Sequence, residues 1–254
     1  MRDVSDLHWS VDYTAQTDHW DVQSELSQPL SEALSSPSVD PNASAKTHSY
    51  TILPNFWCGY NEDATLSARF SIGSLLVERT LAESGWRYRV IHDNEPSGER
   101  LTLDFTCGDE PLRPLRSHWR ILAHNAADGV YSEVDWKGSI EGATISLTTS
   151  RGLSFEAGEV PPGTPLTTIW ALVDVLPTLT GGVDGFSILE DLETLKLGCR
   201  IHPLETWTFE SHTLTGHVLS GEGLPPSYWW LTESGDVALV STIFSTYVLC
   251  ERGT

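Results

Sequence analysis

The sequence predicts a mainly β protein of the α+β class, built on a curved antiparallel sheet that forms a half-barrel or barrel. Short segments that alternate apolar and polar residues recur along most of the chain, and glycine-containing turns separate them. One segment, at about residues 165–177, instead repeats its apolar residues with helical spacing. Because strands precede and follow this segment, we expect it to be the one principal helix, covering a face of the sheet.

Residues 1–48 differ in composition from the rest of the chain and are predicted to form a polar N-terminal arm or linker. They are rich in Ser, Asp, Pro and Gln and show no sustained apolar periodicity. Residues 49–254 carry the strand and helix patterns and suit a single antiparallel β domain with its covering helix. An arm of this kind either covers its own domain or docks on a neighbouring subunit, which would give a homo-oligomer through residues 1–48. Trp9 and Trp20 are the predicted partner-docking residues, because large aromatic side chains bury much apolar area.

The first β block extends from Ser49 to about Val160. SGWRYRVIHD and ERLTLDFTC alternate in the way expected of strands with one face in the core. HWRILAHN and VYSEVDW form a predicted hairpin around the turn AADG. ATISLTTSRGLSFEAG forms a second one, with Arg151-Gly152 in its turn.

The principal helix is predicted in the stretch GTPLTTIWALVDVLPTLTGG. Thr164 suits the N-cap and Pro165 the first helical position. An apolar stripe with i, i+3, i+4, i+7 spacing follows, formed by Ile169, Leu172, Val173 and Leu176. Pro177 and the two glycines beyond it end the helix.

The second β block begins near Phe186. A short helix is predicted for FSILEDLETL, and strands are predicted for KLGCRIHPLETWTFES and HTLTGHVLSGEG. LPPSYWWLTESGDVALV forms a predicted hairpin in which ESGD is the turn and Gly235 suits a positive φ. STIFSTYVLCER is the predicted last strand.

Aromatic residues of this second block mark the candidate ligand-binding surface. Side chains alternate along a strand, so Tyr228 and Trp230 share one face while Trp229 and Leu231 share the other. We expect Trp229 and Leu231 to be buried. Tyr228, Trp230 and Trp207 are therefore the predicted ligand-binding residues.

The net charge of −20 excludes several classes of partner. Nucleic-acid binding needs Lys and Arg to neutralise phosphates, and this chain has few of either, so neither nucleic acid nor an anionic membrane surface is expected to bind. No apolar run approaches the ~20 residues that span a bilayer, so membrane insertion is not expected. The first residues lack an apolar signal-peptide core, which favours a cytoplasmic location as written, or a periplasmic or secreted one if a signal was removed.

The cysteines contain no C-x-x-C motif of a zinc or redox site; they are Cys58, Cys107, Cys199 and Cys250. Free thiols are expected in a cytosolic protein, whereas two disulfides remain open if the protein is exported.

No catalytic motif stands out. Phosphate-binding glycine loops and the G-x-S-x-G nucleophile elbow are absent from the sequence, and no cofactor is expected. The alternative is a glycoside-cleaving pair of carboxylates beside tryptophans, for which Glu205, Glu222 and Asp236 are the candidate catalytic residues.

The sequence does not predict a metal site. The nearest group of ligand-type residues comprises His202, Glu205, His212 and His217. Odd separations within this group would point the side chains to opposite faces of a regular strand, whereas metal ions need convergent ligands.

The order of elements resembles a known architecture. A run of strands, then the helix PLTTIWALVDVLPTL, then GEGLPPSYWWLTESGDVALV is similar to a group of uncharacterised bacterial half-barrel proteins, which are LolA-like in that they resemble the lipoprotein-carrier barrels. The likeness covers roughly residues 50–250. It implies a curved antiparallel sheet whose concave face, with a helix against it, binds something apolar. Such carriers are exported and have no arm comparable to residues 1–48, and the resemblance assigns no functional residue.

The sequence favours a non-catalytic binding or assembly protein over an enzyme. Its ligand would be an apolar small molecule in the half-barrel or a partner protein held by the N-terminal arm. The alternatives are a carbohydrate-active hydrolase or lyase, and a purely structural subunit of a larger complex.

Overall fold

The computed structural model describes residues 30–36, 40, 43–54, 71–95, 97–126 and 131–253. Helix α1 spans residues 30–35. Within the described ranges the sixteen strands are β1 (Ala45–Pro54), β2 (Gly73–Ala82), β3 (Gly85–Asn94), β4 (Glu99–Cys107), β5 (Leu115–Asn125), β6 (Ser132–Glu141), β7 (Thr144–Thr149), β8 (Ser154–Glu159), β9 (Leu166–Thr168), β10 (Val183–Glu190), β11 (Thr194–Pro203), β12 (Trp207–Phe209), β13 (His212–Glu222), β14 (Leu224–Leu231), β15 (Val237–Ser241) and β16 (Ser245–Gly253).

A helical segment separates β9 from β10. It consists of a 3-10 turn (Ile169–Ala171), the α-helix α2 (Leu172–Val175) and a second 3-10 turn (Leu176–Thr178). We call residues 169–178 the inner helical segment.

All the described strands belong to one large curved sheet that does not close. Its order is β8-β7-β6-β5-β4-β3-β2-β1-β16-β15-β14-β13-β11-β10-β9, and β12 pairs with β13 off this path. Neighbours are antiparallel except β9 and β10, which are parallel. The sheet curls until β8 approaches β11, where a Cβ on Gly158 would lie 3.1 Å from the side chain of Leu195. The mainly β, barrel-like fold class predicted from the sequence is therefore confirmed.

The principal helix is shorter than predicted and begins later. Thr164 is not its N-cap and Pro165 is not its first residue, because Leu166–Thr168 forms β9. The amide of Ser187 donates to the carbonyl oxygen of Pro165 over 2.8 Å and so extends the pairing with β10. Two consecutive β-branched threonines in β9 also favour a strand over a helix.

The short helix predicted for FSILEDLETL is also wrong. Phe186 to Glu190 completes β10, and the chain then turns into β11. Asp191 and Leu192 in this turn have positive φ values of 46° and 64°, which a right-handed helix excludes. The buried run from Phe186 to Leu189 lies inside the fold on both faces, so it lacks the alternation that marks a half-buried strand.

The predicted hairpins of both β blocks are confirmed where the structure describes them. Gly152 and Gly235 each adopt a φ of 82° in their turns, between β7 and β8 and between β14 and β15. β5 and β6 pair up to Asn125 and Ser132, while the AADG turn itself lies outside the described residues.

The two faces of the sheet carry separate apolar clusters. The large cluster lies on the concave face and includes the inner helical segment. Trp229 (0% exposed) and Leu231 belong to it, which confirms the predicted burial of this pair. The smaller cluster lies on the outer face and contains Leu30, Leu214, Ala238, Leu239 and Val248.

Helix α1 packs against both clusters, since Leu30 belongs to the outer one and Ala33 to the large one. Leu30 and Ala33 of α1 are buried, and β1 already begins at Ala45. Residues 1–29, with the predicted docking residues Trp9 and Trp20, lie outside the described residues. None of the helices in the described ranges has the length and apolar character needed to cross a bilayer.

Candidate binding surface on the outer face of the sheet

Three aromatic side chains meet on the outer face: Trp207, Phe209 and Trp230. The ring centroids of Trp207 and Trp230 are 5.6 Å apart in an edge-to-face arrangement, and those of Trp207 and Phe209 are 5.5 Å apart. Trp207 is 36% exposed, while the other two rings are half-buried. We call these three residues the outer aromatic surface. The structure thus brings together Trp207 and Trp230 from the set predicted to bind a ligand.

Tyr228, the third predicted ligand-binding residue, lies on the same face as Trp230 and is half-buried. It sits opposite Val218 of β13 and Ser241 of β15. Tyr228 therefore lies on the outer face but is not one of the three rings of the outer aromatic surface.

The position of the aromatic rings follows from a short hairpin. β12 pairs with the first residues of β13, with Trp207 opposite Leu214, and Glu210 in the connecting turn has a φ of 52°. Gly216 leaves the space that the Trp230 ring occupies, because a Cβ there would lie 2.6 Å from Trp230 Cζ3. A glycine at this position is what permits the edge-to-face contact.

Helix α1 is fastened beside this hairpin. Ser31 Oγ donates to Glu210 Oε2 over 3.1 Å. Arg252 Nη2 donates to the carbonyl oxygen of Ala33 over 2.9 Å, and Nη1 donates to that of Ser36 over 3.2 Å. Arg252 thereby adds hydrogen bonds at the C-terminal end of α1, where the Ala33 carbonyl also accepts from the Ser36 amide.

A pocket of about 230 Å³ opens between α1, the start of β13 and the β14–β15 turn. Its lining includes Leu34, Ser36, His212, Leu214, Ser234 and Arg252. The pocket adjoins the outer aromatic surface, because Leu214 pairs with Trp207.

Asp236, one of the candidate catalytic residues, is the centre of a buried polar cluster. Its carboxylate lies 3.4 Å from His48 Nε2, 3.8 Å from Lys46 Nζ and 3.4 Å from Arg252 Nη1. Ser234 Oγ also donates to Oδ2 over 2.9 Å. Burial opposes ionisation, but the hydrogen bonds from His48 and Ser234 and the charges of Arg252 and Lys46 outweigh it and lower the pKa of Asp236. A carboxylate held ionised in this way is a counterion and a poor general acid.

The other two candidate catalytic residues are far from each other. Glu205 and Glu222 are both exposed. The amide of Leu204 donates to the carbonyl oxygen of Gly216, which places Glu205 beside that part of β13. Glu222 lies at the end of β13, about 20 Å further along the strand. Glycosidase carboxylates are roughly 5–9.5 Å apart, so these two do not form such a pair.

The histidines near this region have separate environments. His202 is exposed and lies 3.4 Å from Asp184, whereas His217 is buried and its pKa is lowered by that burial. Among the described residues there is no group of three or more His, Cys, Asp or Glu side chains arranged to hold a metal ion.

On the concave face, a buried ion pair that the sequence analysis missed holds the inner helical segment. Arg79 of β2 donates to Asp174 over 2.8 Å, and Tyr88 of β3 donates to the other carboxylate oxygen over 2.7 Å. The Arg79 guanidinium also stacks 4.0 Å from the ring centroid of Trp86. A lone acidic residue in the apolar run WALVDVL was the available sequence signal for this pair.

The interior of the curved sheet is packed around the inner helical segment. Trp170 contacts Trp229 at 6.3 Å and Tyr247 at 5.4 Å between ring centroids, while Leu172, Val173, Val175 and Leu176 are buried. Side chains of this segment and of the strands therefore occupy the concave side.

Asp191, in the β10–β11 turn, is the carboxyl with the most perturbed environment on this side. Burial raises its pKa to about 6, with further contributions from Glu190 and Glu193, against a hydrogen bond from Trp170. Its positive φ is tolerated because Asp can adopt the left-handed conformation.

The cysteines that the structure describes are free thiols: Cys107, Cys199 and Cys250. Burial raises the pKa of Cys107 to about 12 and that of Cys199 to about 11, so both remain protonated and unreactive at neutral pH. Cys58 lies outside the described residues.

Comparison with known proteins identifies a related fold. No protein-family model matches the chain. No curated protein sequence matches it either. Among solved structures, the chain is similar to the crystal structure of a β-barrel-like protein of the domain of unknown function DUF1849 from Brucella abortus. The TM-score is 0.50 at 10% sequence identity, covering 82% of this chain and 96% of that one. The chain therefore shares a barrel-like fold with an uncharacterised protein.

Proposed function

We propose that this protein is a non-catalytic binding protein that docks a partner protein on its outer aromatic surface. The observation that carries the proposal is the contrast between the two faces. The concave face is covered by the inner helical segment, whereas Trp207 remains partly exposed on the outer face in contact with Trp230. Partly exposed aromatic side chains of this kind are the commonest anchors of protein interfaces.

A carrier role of the LolA type would need apolar space on the concave face. Asp174 and its partners Arg79 and Tyr88 fasten the inner helical segment over that face. Opening it would break these hydrogen bonds and expose the buried apolar side chains of Leu172, Val175 and Leu176, which is energetically costly. This packing supports docking over transport of an apolar small molecule.

The hydrolase alternative has less support from the geometry. Glu205, before β12, is far from Glu222 at the end of β13, and the Asp236 carboxylate is held ionised by basic neighbours. A carboxylate pair flanking a substrate would need a different arrangement.

The N-terminal residues extend the proposed interface. The chain reaches Leu30, the first described residue, inside the outer apolar cluster that also packs against Trp230. The described chain thus begins at a residue that lies near the outer aromatic surface. We propose that Trp9 and Trp20 add anchors for the same partner.

The experiment that tests docking replaces Phe209, which lies on the outer face in contact with Trp207, by the photo-cross-linking amino acid p-benzoylphenylalanine. When the protein is expressed in cells and irradiated, we expect it to be cross-linked to one partner protein. This adduct should disappear when the substitution Trp207→Ala is also introduced. The matched control carries the cross-linker at Leu153, a 69% exposed position on the β7–β8 turn, and should give no such adduct. An adduct that persists with Trp207→Ala, or no adduct at position 209, would count against the proposal.

A second experiment addresses the carrier alternative. Titration with the apolar dye N-phenyl-1-naphthylamine should give no saturable fluorescence increase. The opposite result would be stoichiometric binding of the dye that changes with Trp170→Ala but not with Trp207→Ala. It would show that the ligand binds on the concave face.

A further inference from the structure

β12 presents an open edge next to the outer aromatic surface. β10 pairs with β11 as far as Ile201, and β12 lies beyond that point. In the part of the chain that the structure describes, β13 is the only strand that pairs with β12. One edge of β12 therefore has backbone groups available for pairing with an added strand.

The side chains of β12 suit such an added strand. Trp207 and Phe209 point to the outer face, and Thr208 points the other way and is exposed. An added strand would place its alternate apolar side chains against Trp207, in the way that aromatic and β-branched cross-strand pairs stabilise a sheet.

Acidic residues lie at both ends of β12. Glu205 comes before it and Glu210 comes after it, and both are exposed. Glu233, on the β14–β15 turn at the neighbouring pocket, is exposed as well. The edge is thus an apolar strip between carboxylates, which complements an apolar segment flanked by Lys or Arg.

We infer that the open edge of β12 binds an extended segment of the partner protein as an added β-strand. The apolar residues of that segment pack on Trp207, and basic residues at its ends face Glu205 and Glu210. This inference rests on the proposed function and names the chemistry of its partner.

Charge disfavours two other occupants of this edge. Residues 1–29 contain five Asp and one Glu against a single Arg, so they would be repelled by the acidic ends of β12. A second copy pairing edge to edge would bring its own Glu205 and Glu210 against those of the first, and like charges opposite each other destabilise a sheet.

The test is selection from a displayed library of random octapeptides on the full-length protein. We expect enriched peptides with alternating apolar residues and Lys or Arg at their ends. Glu205→Lys with Glu210→Lys should invert the terminal preference to Asp or Glu and weaken the original peptides at least tenfold. The control, Glu141→Lys with Glu159→Lys, changes two exposed carboxylates on β6 and β8 and should leave the selection unchanged.

Amide hydrogen exchange on the selected complex tests the strand itself. Binding should slow exchange at residues 205–209 at least tenfold. Strand addition is wrong if the selected peptides bind without slowing exchange at residues 205–209. It is also wrong if the Glu→Lys variant keeps the preference for Lys or Arg at the peptide ends. Neither result contradicts docking. Failure to select any peptide overturns strand addition, and the cross-linking result at position 209 then decides separately whether docking stands. A selection that changes on deletion of residues 1–29 would assign the edge to that segment.

Discussion

Arg79 Nη1 lies 2.8 Å from Asp174 Oδ1, and this buried pair joins β2 to the inner helical segment. Tyr88 completes the arrangement from β3, and burial, followed by the charge and hydrogen bond of Asp174, raises the pKa of Tyr88 well above its usual range. The phenol therefore stays protonated and donates its hydrogen bond at every physiological pH. These three residues fasten the segment that covers the concave face.

Removing one member of the pair should strongly destabilise the protein. Arg79→Met leaves the Asp174 carboxylate buried without its cation, so the free energy of unfolding should fall by about 3–5 kcal/mol. Urea denaturation measures the change. Arg120→Met is the control, because its 2.8 Å pair with Asp135 is largely exposed and should contribute less than about 1 kcal/mol. If the free energy of unfolding falls equally in the two variants, the pair of Arg79 with Asp174 does not hold the inner helical segment in place.

Two tryptophans of the second β block should separate stability from binding. Trp229→Ala empties a fully buried site and should lower the free energy of unfolding by about 3–5 kcal/mol. Trp207→Ala removes a partly exposed ring and should cost less than about 1 kcal/mol while abolishing the cross-link at position 209. Thermal or urea unfolding of each variant provides the comparison. A Trp207→Ala protein as unstable as Trp229→Ala would make Trp207 a structural residue.

Asp191 should give the protein a pH-dependent stability. Its pKa is about 6 in the folded protein, against roughly 3.9 for an unfolded chain, so the folded state binds more protons between these values. Protonated Asp191 therefore stabilises the folded protein relative to the unfolded one at low pH, and this stabilisation is lost as the pH rises through about 4–6. Asp191→Asn should raise the free energy of unfolding at pH 7.5 by about 1–2 kcal/mol and flatten the profile. Asp184→Asn, at an exposed carboxyl, should retain the wild-type slope; an unchanged slope in Asp191→Asn would refute the assignment.

Arg252 should control how firmly α1 is held. Arg252→Ala removes the hydrogen bonds to the carbonyl oxygens of Ala33 and Ser36, so amide exchange in residues 30–36 should accelerate at least tenfold. The control is Arg200→Ala, whose guanidinium is exposed and bonds only to Ser220 in the described contacts. Exchange in α1 that is insensitive to Arg252→Ala would show that the apolar contacts of Leu30 suffice.

The sequence predicted the sheet where each strand has one buried face. Alternation along β14 separated Trp229 from Trp230 correctly, since Trp229 faces the concave cluster and Trp230 the outer one. It failed where burial is continuous. Leu166–Thr168 and the end of β10 are buried on both faces, so apolar and polar residues do not alternate there and no period distinguishes strand from helix.

The candidate site was predicted only in part, because its contacts are distant in sequence. Trp207 and Trp230 were identified separately, and their contact depends on the pairing of β12, β13 and β14. The cluster around Asp236 was not foreseen, since His48 and Arg252 meet only through the pairing of β1 with β16. Local pattern does not reveal pairings between the two ends of a chain.

Binding on the outer face is tested most directly by amide hydrogen exchange of this protein with and without a bound partner. The ligand is the cross-linked partner or a selected octapeptide, and exchange is measured residue by residue with and without it. Binding on the outer face should slow exchange in residues 204–216 and leave residues 169–178 unchanged. Protection of the inner helical segment, with residues 204–216 unaffected, would contradict it.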